Sequence, residues 1–234
     1  MLAALKSKIR VRVQGQNDGL TRPSVHDALA ESPLEAAVGE AAALPPENKF
    51  GGYALSNGWF FKKKLLGGFD GFRAVDLCWA YPKKVSTKAY GVVTTAVNWK
   101  MTMRIRPDRT VELYHESSDI GAKLPTASVD YTLKVLSQVT PWAIFGYSEY
   151  RAECWKKNHD TFLRLVDERL QAVRGALSSG KLRVDSEGTL APSEPISLPT
   201  LVFTFLRKAN GKVQGRRYLS STAAGGITEL IYKA

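Results

Sequence analysis

The spacing of hydrophobic residues changes once in the middle of the chain. Over residues 97–105 every second position is apolar, which is typical of a strand with one buried face. Lys100 and Arg104 fall on the alternate positions, so we expect that strand to have a basic face towards solvent. Over residues 129–139 the apolar positions instead recur every three or four residues. The change predicts an antiparallel sheet followed by a helix that covers it.

Turn residues divide the strand-like region further. Asn57-Gly58 is a strong signal for a two-residue hairpin and lies between two predicted strands at residues 53–55 and 59–64. Another strand is expected over residues 72–85, with a bend at Asp76. A proline-containing turn at residues 106–109 should then lead into a returning strand.

The N-terminal part reads as an extension of this sheet. Residues 6–13 alternate basic and apolar positions, as an amphipathic strand does. Ser24 is placed to cap a helix over residues 25–43, which Pro33 should split into two short helices. Pro45-Pro46 ends the segment.

The C-terminal part reads as one long helix and then strands. Apolar residues at helical spacing predict a helix over residues 150–177. Prolines make residues 185–199 a loop. Three strand-like runs follow, and they either extend the first sheet or pair with the N-terminal strand: residues 201–207, 214–219 and 227–232.

These elements together predict an α+β protein in four parts. Residues 1–49 are an N-terminal strand and helical extension, and residues 50–147 are the central domain. Residues 148–180 are a long amphipathic helix, and residues 181–234 are a loop with a strand-rich basic tail.

Charge narrows the class of partner. The 234 residues carry a formal charge of +11, of which +6 lies in residues 50–118 and +5 in residues 201–234. Such a balance favours an anionic partner: a lipid surface, an acidic protein or a nucleic acid. The sequence contains no apolar run of membrane-spanning length and no signal-peptide core. With two distant cysteines, Cys78 and Cys154, expected as free buried thiols, we expect a cytoplasmic protein.

The central region resembles the bacterial form of the pleckstrin-homology-like (PH-like) superfold. The resemblance rests on YALSNGWFFKKK, FRAVDLCWAY, MRIRPDRTVEL and DYTLKVLSQVTPW. The run TPWAIFGYSEYRAECWKKNHDTFLRLVDER is also similar to the end of an uncharacterised family of small bacterial PH-like proteins. The resemblance implies a partly open antiparallel barrel capped by a helix. It also implies a non-enzymatic module that binds anionic headgroups, peptides or proteins.

We therefore expect a binding or scaffold module for an acidic protein or an anionic membrane surface. In eukaryotic lipid-binding members of the PH-like superfold a basic cluster lies on the loop between the first strands, and this chain has basic residues at roughly that place. A second basic group, expected as a loop, follows further along the chain. The candidate anionic-surface residues are Lys62, Lys63, Lys64, Arg73, Lys83, Lys84 and Lys88.

The alternative is a nucleic-acid or ribonucleoprotein component. Arginines flank two aromatic residues, Trp99 and Tyr114, in an arrangement compatible with base stacking, and the tail adds further cations. The candidate nucleic-acid residues are Arg104, Arg106, Arg109, Arg207, Lys208, Arg216 and Arg217.

Catalytic and metal motifs do not support an enzyme. The sequence contains no GxSxG, HExxH or P-loop pattern. Each of His26, His115 and His159 lacks a second ligand at helical or hairpin spacing, so we expect no metal and no cofactor. Cys154 lies on an amphipathic stretch, where a thiol is more often core than nucleophile.

Overall fold

A computed structural model describes most of the chain between residues 23 and 221. The described residues are 23–39, 49–50, 52–65, 67–89, 93–118, 127–186, 188–193, 196–207 and 213–221. Within them, only the backbone is described for residues 49, 86–89, 93–98, 114–118, 127–128, 202–207 and 213–221. The strands predicted over residues 6–13 and 227–232 lie outside the described residues.

Two short helices precede the first sheet, as the sequence predicted. Helices α1 (Val25–Leu29) and α2 (Leu34–Gly39) are separated at Pro33. Ser24 caps α1 in a reciprocal capping box with Asp27, whose carboxylate accepts from the Ser24 backbone N–H at 2.8 Å. The cap orients α1 so that Val25 enters the core with no exposed surface.

The first sheet contains four antiparallel strands in sequence order. They are β1 (Lys49–Phe50), β2 (Tyr53–Ser56), β3 (Trp59–Lys63) and β4 (Phe69–Arg73). The predicted hairpin between β2 and β3 is confirmed, with positive φ at both Asn57 (46°) and Gly58 (84°). Gly58 also faces the α1–α2 connection so closely that a Cβ would lie 1.9 Å from the Ala30 carbonyl oxygen.

The second sheet is built on two long strands. Its order is β7-β6-β5-β8, from β5 (Leu77–Ala89), β6 (Val93–Ile105), β7 (Arg109–Ser118) and β8 (Ile144–Phe145). A 3₁₀ turn at Ala74–Asp76 carries the chain from β4 to β5, at the place where the sequence predicted a bend. Strand β8 pairs parallel with β5, and the other neighbours are antiparallel.

Helix α3 (Ala127–Val139) contacts β5 and β6, as predicted from the change in period. Val129, Leu133, Leu136 and Val139 are fully or almost fully buried. The helix therefore packs against the second sheet along the stripe that the sequence marked as apolar.

The long C-terminal helix predicted within residues 148–180 is two helices. Asn158 ends α4 (Glu149–Lys157) with φ −135° and ψ 49°, and α5 (His159–Ser178) starts directly after it. The ring of Trp79 in β5 contacts both helices, lying 6.4 Å from the Trp155 ring and 5.8 Å from the Phe162 ring.

Those two helices cover the face of β6 that the sequence placed in solvent. Trp79 pairs with Arg104 and Tyr81 pairs with Thr102, so all four share the face that α4 and α5 contact. Thr102 is only 1 % exposed. The prediction of a solvated basic face was therefore wrong. The residues that cover this face belong to α4 and α5, which lie more than 40 residues further along the chain, so the pattern within β6 does not reveal them.

Strands continue after α5. A hairpin of β9 (Leu182–Val184) and β10 (Leu190–Pro192) lies partly in the region predicted as loop. Strands β11 (Thr200–Arg207) and β12 (Val213–Ser221) are confirmed as strands and, among the described residues, pair with each other only. Both contact α5.

One hydrophobic core joins nearly all of these parts. It contains buried residues from α1, from both four-stranded sheets, from α3 to α5 and from β9. The fold is α+β with antiparallel sheets, and the two four-stranded sheets do not close into a barrel within the described residues. The four predicted parts therefore share a core across their boundaries.

Arg169 of α5 is buried inside this core, with 3 % of its surface exposed. Its guanidinium donates to the carbonyl oxygens of Trp142 (2.8 Å), Pro199 (3.0 Å), Pro141 (3.1 Å) and Ala143 (3.3 Å). A single side chain thus links α5 to the segment after α3 and to the residue before β11.

We expect Arg169→Leu to lower the free energy of unfolding by about 3 kcal/mol or more, because it leaves several buried carbonyl groups without donors. Urea denaturation checks this. Arg164→Gln on the same helix is the control, since Arg164 is exposed and, among the described residues, its ion pair is a solvated one with Glu168 at 3.9 Å. That variant should change stability by less than about 0.5 kcal/mol. Equal midpoints for both variants would contradict the role given to Arg169.

Candidate functional site

The predicted lysine run lies at the loop end of the β3–β4 hairpin. Lys62, Lys63 and Lys64 are all exposed. Lys62 is the least free of the three, because its Nζ lies 4.8 Å from the centre of the Tyr53 ring and it pairs across the sheet with Asp70. The backbone N–H of Lys64 donates to the Gly68 carbonyl at 3.0 Å and closes the loop.

Apolar side chains stand beside these lysines. Leu65 is fully exposed (102 %), and Phe69 is 39 % exposed although its ring contacts Phe61 edge-on at 6.1 Å. We call this group the hairpin tip: Lys62, Lys63, Lys64, Leu65, Gly67, Gly68 and Phe69. Leu65 lies between the lysines and the glycines and is not part of the described hydrophobic core.

Arg73 does not join the hairpin tip, contrary to the sequence expectation. It pairs with Trp59 at the opposite end of the hairpin, about 13 Å from Lys63 along the strand at 3.3 Å per residue. Its guanidinium lies 5.8 Å from the Trp59 ring and donates to the Ala30 carbonyl at 3.4 Å. The sequence pattern predicted that the next strand begins at residue 72, directly after the glycine connection, whereas β4 begins at Phe69 and carries Arg73 to the far end of the hairpin.

The second basic group is partly neutralised. Lys83 and Lys100 face each other across β5 and β6, and both bind Glu112, at 3.5 Å and 2.9 Å. The hydrogen bond from Lys100 is the main reason why the pKa of Glu112 lies below its ordinary value. Lys84 is exposed on the same strand, and the side chain of Lys88 lies outside the described residues.

Three of the arginines proposed for nucleic acid make contacts within the protein. Arg106 binds Asp167 of α5 at 2.7 Å, and Arg109 binds Asp70 of β4 at 2.6 Å. Arg109 also donates to the Gly71 carbonyl at 2.9 Å. Arg104 donates to the Thr110 hydroxyl. The turn at residues 106–109, which we call the arginine turn, therefore ties the second sheet to α5 on one side and to the first sheet on the other.

The other predicted nucleic-acid features are buried or not described. Trp99 is 9 % exposed, so its face is not open for base stacking. The side chains of Tyr114, Arg207, Arg216 and Arg217 lie outside the described residues, as does Lys208.

An open cleft of about 600 Å³, which we call the aromatic cleft, lies where α4, α5 and the second sheet meet. It draws residues from β5, β6, the turn before β7 and both helices. Its lining residues are Trp79, Tyr81, Arg104, Asp108, Ala152, Trp155, Lys156 and His159. Sequence analysis missed this cleft because only Arg104 among its members stood out as a candidate, and no pattern joins five separate elements.

The cleft has a fixed frame. His159 places one ring nitrogen 3.2 Å from the Trp155 carbonyl and the other 2.7 Å from the Pro107 carbonyl, so it joins the helices to the turn. The Trp79 indole N–H donates to the Gly146 carbonyl at 2.8 Å. Arg104 lies over the Trp155 ring at 6.0 Å.

The two thiols lie away from solvent and are free, as predicted. Burial raises the pKa of Cys78 and of Cys154 to about 11, so both are protonated at neutral pH. Among the described residues no group of three His, Cys, Asp or Glu side chains is arranged to hold a metal ion. Nor is any helix in the described part of the chain long and apolar enough to span a membrane.

Comparisons with family models, with curated proteins and with solved structures gave no match for this chain.

Asp70 lies between the hairpin tip and the arginine turn. Burial acts to raise its pKa, but hydrogen bonds from Tyr53 (2.9 Å) and Arg109 (2.6 Å) outweigh burial and hold the pKa below the ordinary 3.8. Burial, with the hydrogen bond to Asp70, raises the pKa of Tyr53 to about 12, so Tyr53 stays a donor throughout the neutral range.

We expect Asp70→Asn to lower the free energy of unfolding by about 1 kcal/mol at pH 7, because the charge-assisted bond to a partly exposed Arg109 is lost. A lowered folded-state pKa gives stability that is present above the unfolded value of 3.8 and is lost as pH falls through the folded value. The difference in the free energy of unfolding between wild type and Asp70→Asn should therefore become smaller below pH 4. Urea unfolding between pH 7 and pH 2 measures this difference. Glu168→Gln is the control, and a gap that is constant with pH would contradict the role of the Asp70 charge.

Proposed function

We propose that this protein is a non-enzymatic module that attaches reversibly to an anionic membrane surface through the hairpin tip. The observation that carries the proposal is the fully exposed Leu65 beside three exposed lysines. Lysines alone would suit any anionic partner. An apolar side chain presented at the same end of a hairpin suits a surface that has charge outside and hydrocarbon just beneath.

The expected strength fits reversible attachment. Each lysine close to an anionic surface contributes about 1 kcal/mol, and burying one leucine side chain contributes about 2 kcal/mol. The sum of about 5 kcal/mol corresponds to an affinity near that of a single myristoyl chain, about 10⁴ M⁻¹. Such a contact holds the protein only while the surface stays strongly anionic, or while a second contact adds to it.

The PH-like resemblance supports the same proposal. Lipid-binding PH-like modules contact anionic headgroups with basic residues near the first strands, and the hairpin tip begins with the three lysines that end the opening run YALSNGWFFKKK. We propose the PH-like relationship on that resemblance and on the α+β arrangement in which α3 packs against an antiparallel sheet. The sequence also suggested an acidic protein as the anionic partner. The exposed Leu65 favours the membrane over an acidic protein, because a membrane offers hydrocarbon beneath its charged surface.

Nucleic-acid binding through the arginine turn receives less support. Arg106 and Arg109 each spend donors on a carboxylate of the protein, at 2.7 Å and 2.6 Å. A phosphate would have to displace those carboxylates and release α5 or the first sheet. The remaining candidates for nucleic-acid binding are the basic residues of the C-terminal tail: Arg207, Lys208, Arg216 and Arg217.

We expect Lys63→Glu/Lys64→Glu to abolish co-sedimentation with vesicles that contain about 30 % phosphatidylserine, because two attractive charges become repulsive. Lys62 is kept, since it also contacts Tyr53. The control is Lys156→Glu/Lys157→Glu, which changes the net charge equally at two exposed lysines of α4. Equal loss in both variants would show a response to net charge and would overturn the assignment to the hairpin tip.

A second variant tests the apolar contact. Leu65→Ser should weaken vesicle binding about tenfold or more, and the loss should persist at raised salt, because burial of a leucine is not screened. Unchanged vesicle binding by Leu65→Ser together with loss in the lysine variant would show a purely electrostatic contact and would contradict the apolar contact on which the membrane proposal depends. If wild type binds an oligonucleotide at low salt but no vesicle, the membrane proposal fails.

A further inference from the structure

The turn between β2 and β3 carries a reactive pair of residues. When glycine follows asparagine, the glycine nitrogen can attack the side-chain amide carbon of the asparagine, because glycine has no side chain to obstruct the attack. Asn57-Gly58 is the one Asn-Gly pair among the described residues. A second pair, Asn210-Gly211, lies outside them. The first pair can therefore be judged by its surroundings in the fold.

The reaction needs no reagent other than water. The Gly58 N–H loses its proton, the nitrogen forms a bond to Cγ of Asn57, and the amide group leaves Cγ with that proton as ammonia. Water then opens the cyclic imide at either of its two carbonyl carbons. One opening gives aspartate. The other gives isoaspartate, in which the main chain runs through the side-chain carbon and is one atom longer.

The fold holds the attacking nitrogen in another contact. The Gly58 N–H donates to the Asp27 carbonyl of α1 at 2.6 Å, and the Gly58 carbonyl accepts from the Ala74 N–H at 2.8 Å. Gly58 is buried, and Asn57 is half-buried. The N–H that must lose its proton is therefore bound to a carbonyl and kept from solvent, so the reaction requires a local opening.

Helix α1 controls that opening. It has five residues, and a helix so short does not persist by itself in water. Its presence depends on the cap between Ser24 and Asp27 and on Val25 and Ala28, which are fully buried in the main core. Detachment of α1 would release the Gly58 N–H, while the pairing of β2 with β3 involves other residues.

We propose that Asn57 is a deamidation site that the docking of α1 protects. Detachment of α1 exposes the Gly58 nitrogen, and the isoaspartate product prevents renewed docking. The reason is that an added backbone atom in a two-residue turn displaces Gly58 from both Asp27 and Ala74. A reversible opening thus becomes an irreversible change of the hairpin. The turn lies at the opposite end of β3 from the hairpin tip, so the inference does not depend on membrane attachment.

Peptide mapping by mass spectrometry, applied to the aged full chain, measures the reaction at both Asn-Gly pairs. In urea, Asn57 and Asn210 should convert at similar rates, because neither is held by a fold. In the folded protein Asn57 should convert about tenfold or more slowly than in urea, since only the detached fraction reacts. Equal folded and unfolded rates at Asn57 would overturn the protection, and absence of conversion in urea would overturn the site.

Adjacent residues of α1 provide a matched pair of variants. Val25→Ser removes a fully buried contact and should raise the Asn57 rate in the folded protein about tenfold or more. His26→Ser places the same residue at an exposed position and should change the rate by less than about twofold. The Asn210 rate in each chain is the internal reference. Equal Asn57 rates in the two variants would contradict control by α1.

A milder variant changes the cap alone. Val25 belongs to the main core, so Val25→Ser can also disturb the rest of the fold, whereas the Ser24 side chain bonds within the cap. Ser24→Ala should raise the Asn57 rate about fivefold, the order expected for losing an N-cap. Circular dichroism reports whether each variant is folded. A wild-type rate in folded Ser24→Ala would also contradict control by α1.

Hydrogen exchange of the α1 amides tests the consequence of the reaction. Asn57→Asp copies the aspartate product, and since Asp-Gly also forms two-residue turns, α1 should keep its wild-type protection. The isoaspartate form, separated from the aged protein by chromatography, should lose that protection about tenfold or more. Wild-type protection of α1 in the isoaspartate form would show that the helix docks again, and the irreversible change would be refuted.

Discussion

The position of Arg169 is the constraint on which the C-terminal half depends. A guanidinium taken out of water costs several kcal/mol unless its donors are used, and here they bind four carbonyl oxygens. Three of those belong to consecutive residues, 141–143, just before β8. Arg169 therefore fixes the path of the chain from the end of α3 to β8, the strand that pairs with β5 at the edge of the second sheet. The fourth carbonyl, of Pro199, brings the start of β11 to the same point, so α5 is fixed against both by a single side chain.

A second junction forms at the turn between β6 and β7. Arg106 reaches α5 through Asp167, Arg109 reaches the first sheet through Asp70, and His159 contacts the Pro107 carbonyl. These contacts give Arg106 and Arg109 a structural role in joining the two sheets and α5. The aromatic cleft opens beside the same turn. Its walls therefore belong to parts of the fold that two ion pairs and one imidazole already hold together.

Local signals in the sequence predicted more of the fold than of the candidate sites. Asn57-Gly58, the Ser24 cap and the helical spacing of residues 129–139 were sufficient because each depends on neighbours a few positions away. The break at Asn158 was missed, since it has neither proline nor glycine to mark it. The covered face of β6 was missed because an amphipathic pattern tells which side of a helix is buried but not which sheet buries it. Arg73 was placed near the lysines because the start of β4, at Phe69, was not predicted. The aromatic cleft was missed because only the tertiary fold brings its residues together.

The close approach of Gly58 to Ala30 has a consequence for how this chain can diverge. Position 58 serves the hairpin through its positive φ, a demand that asparagine could also meet. It serves α1 and α2 through the absence of a side chain, a demand that no other residue meets, because even a methyl group would strike the Ala30 carbonyl. Replacement of this glycine and detachment of the N-terminal helices are thus coupled events. In any homologue, the residue at this position reports whether the helices dock on the hairpin, so a single letter of sequence carries information about an interface 28 positions away.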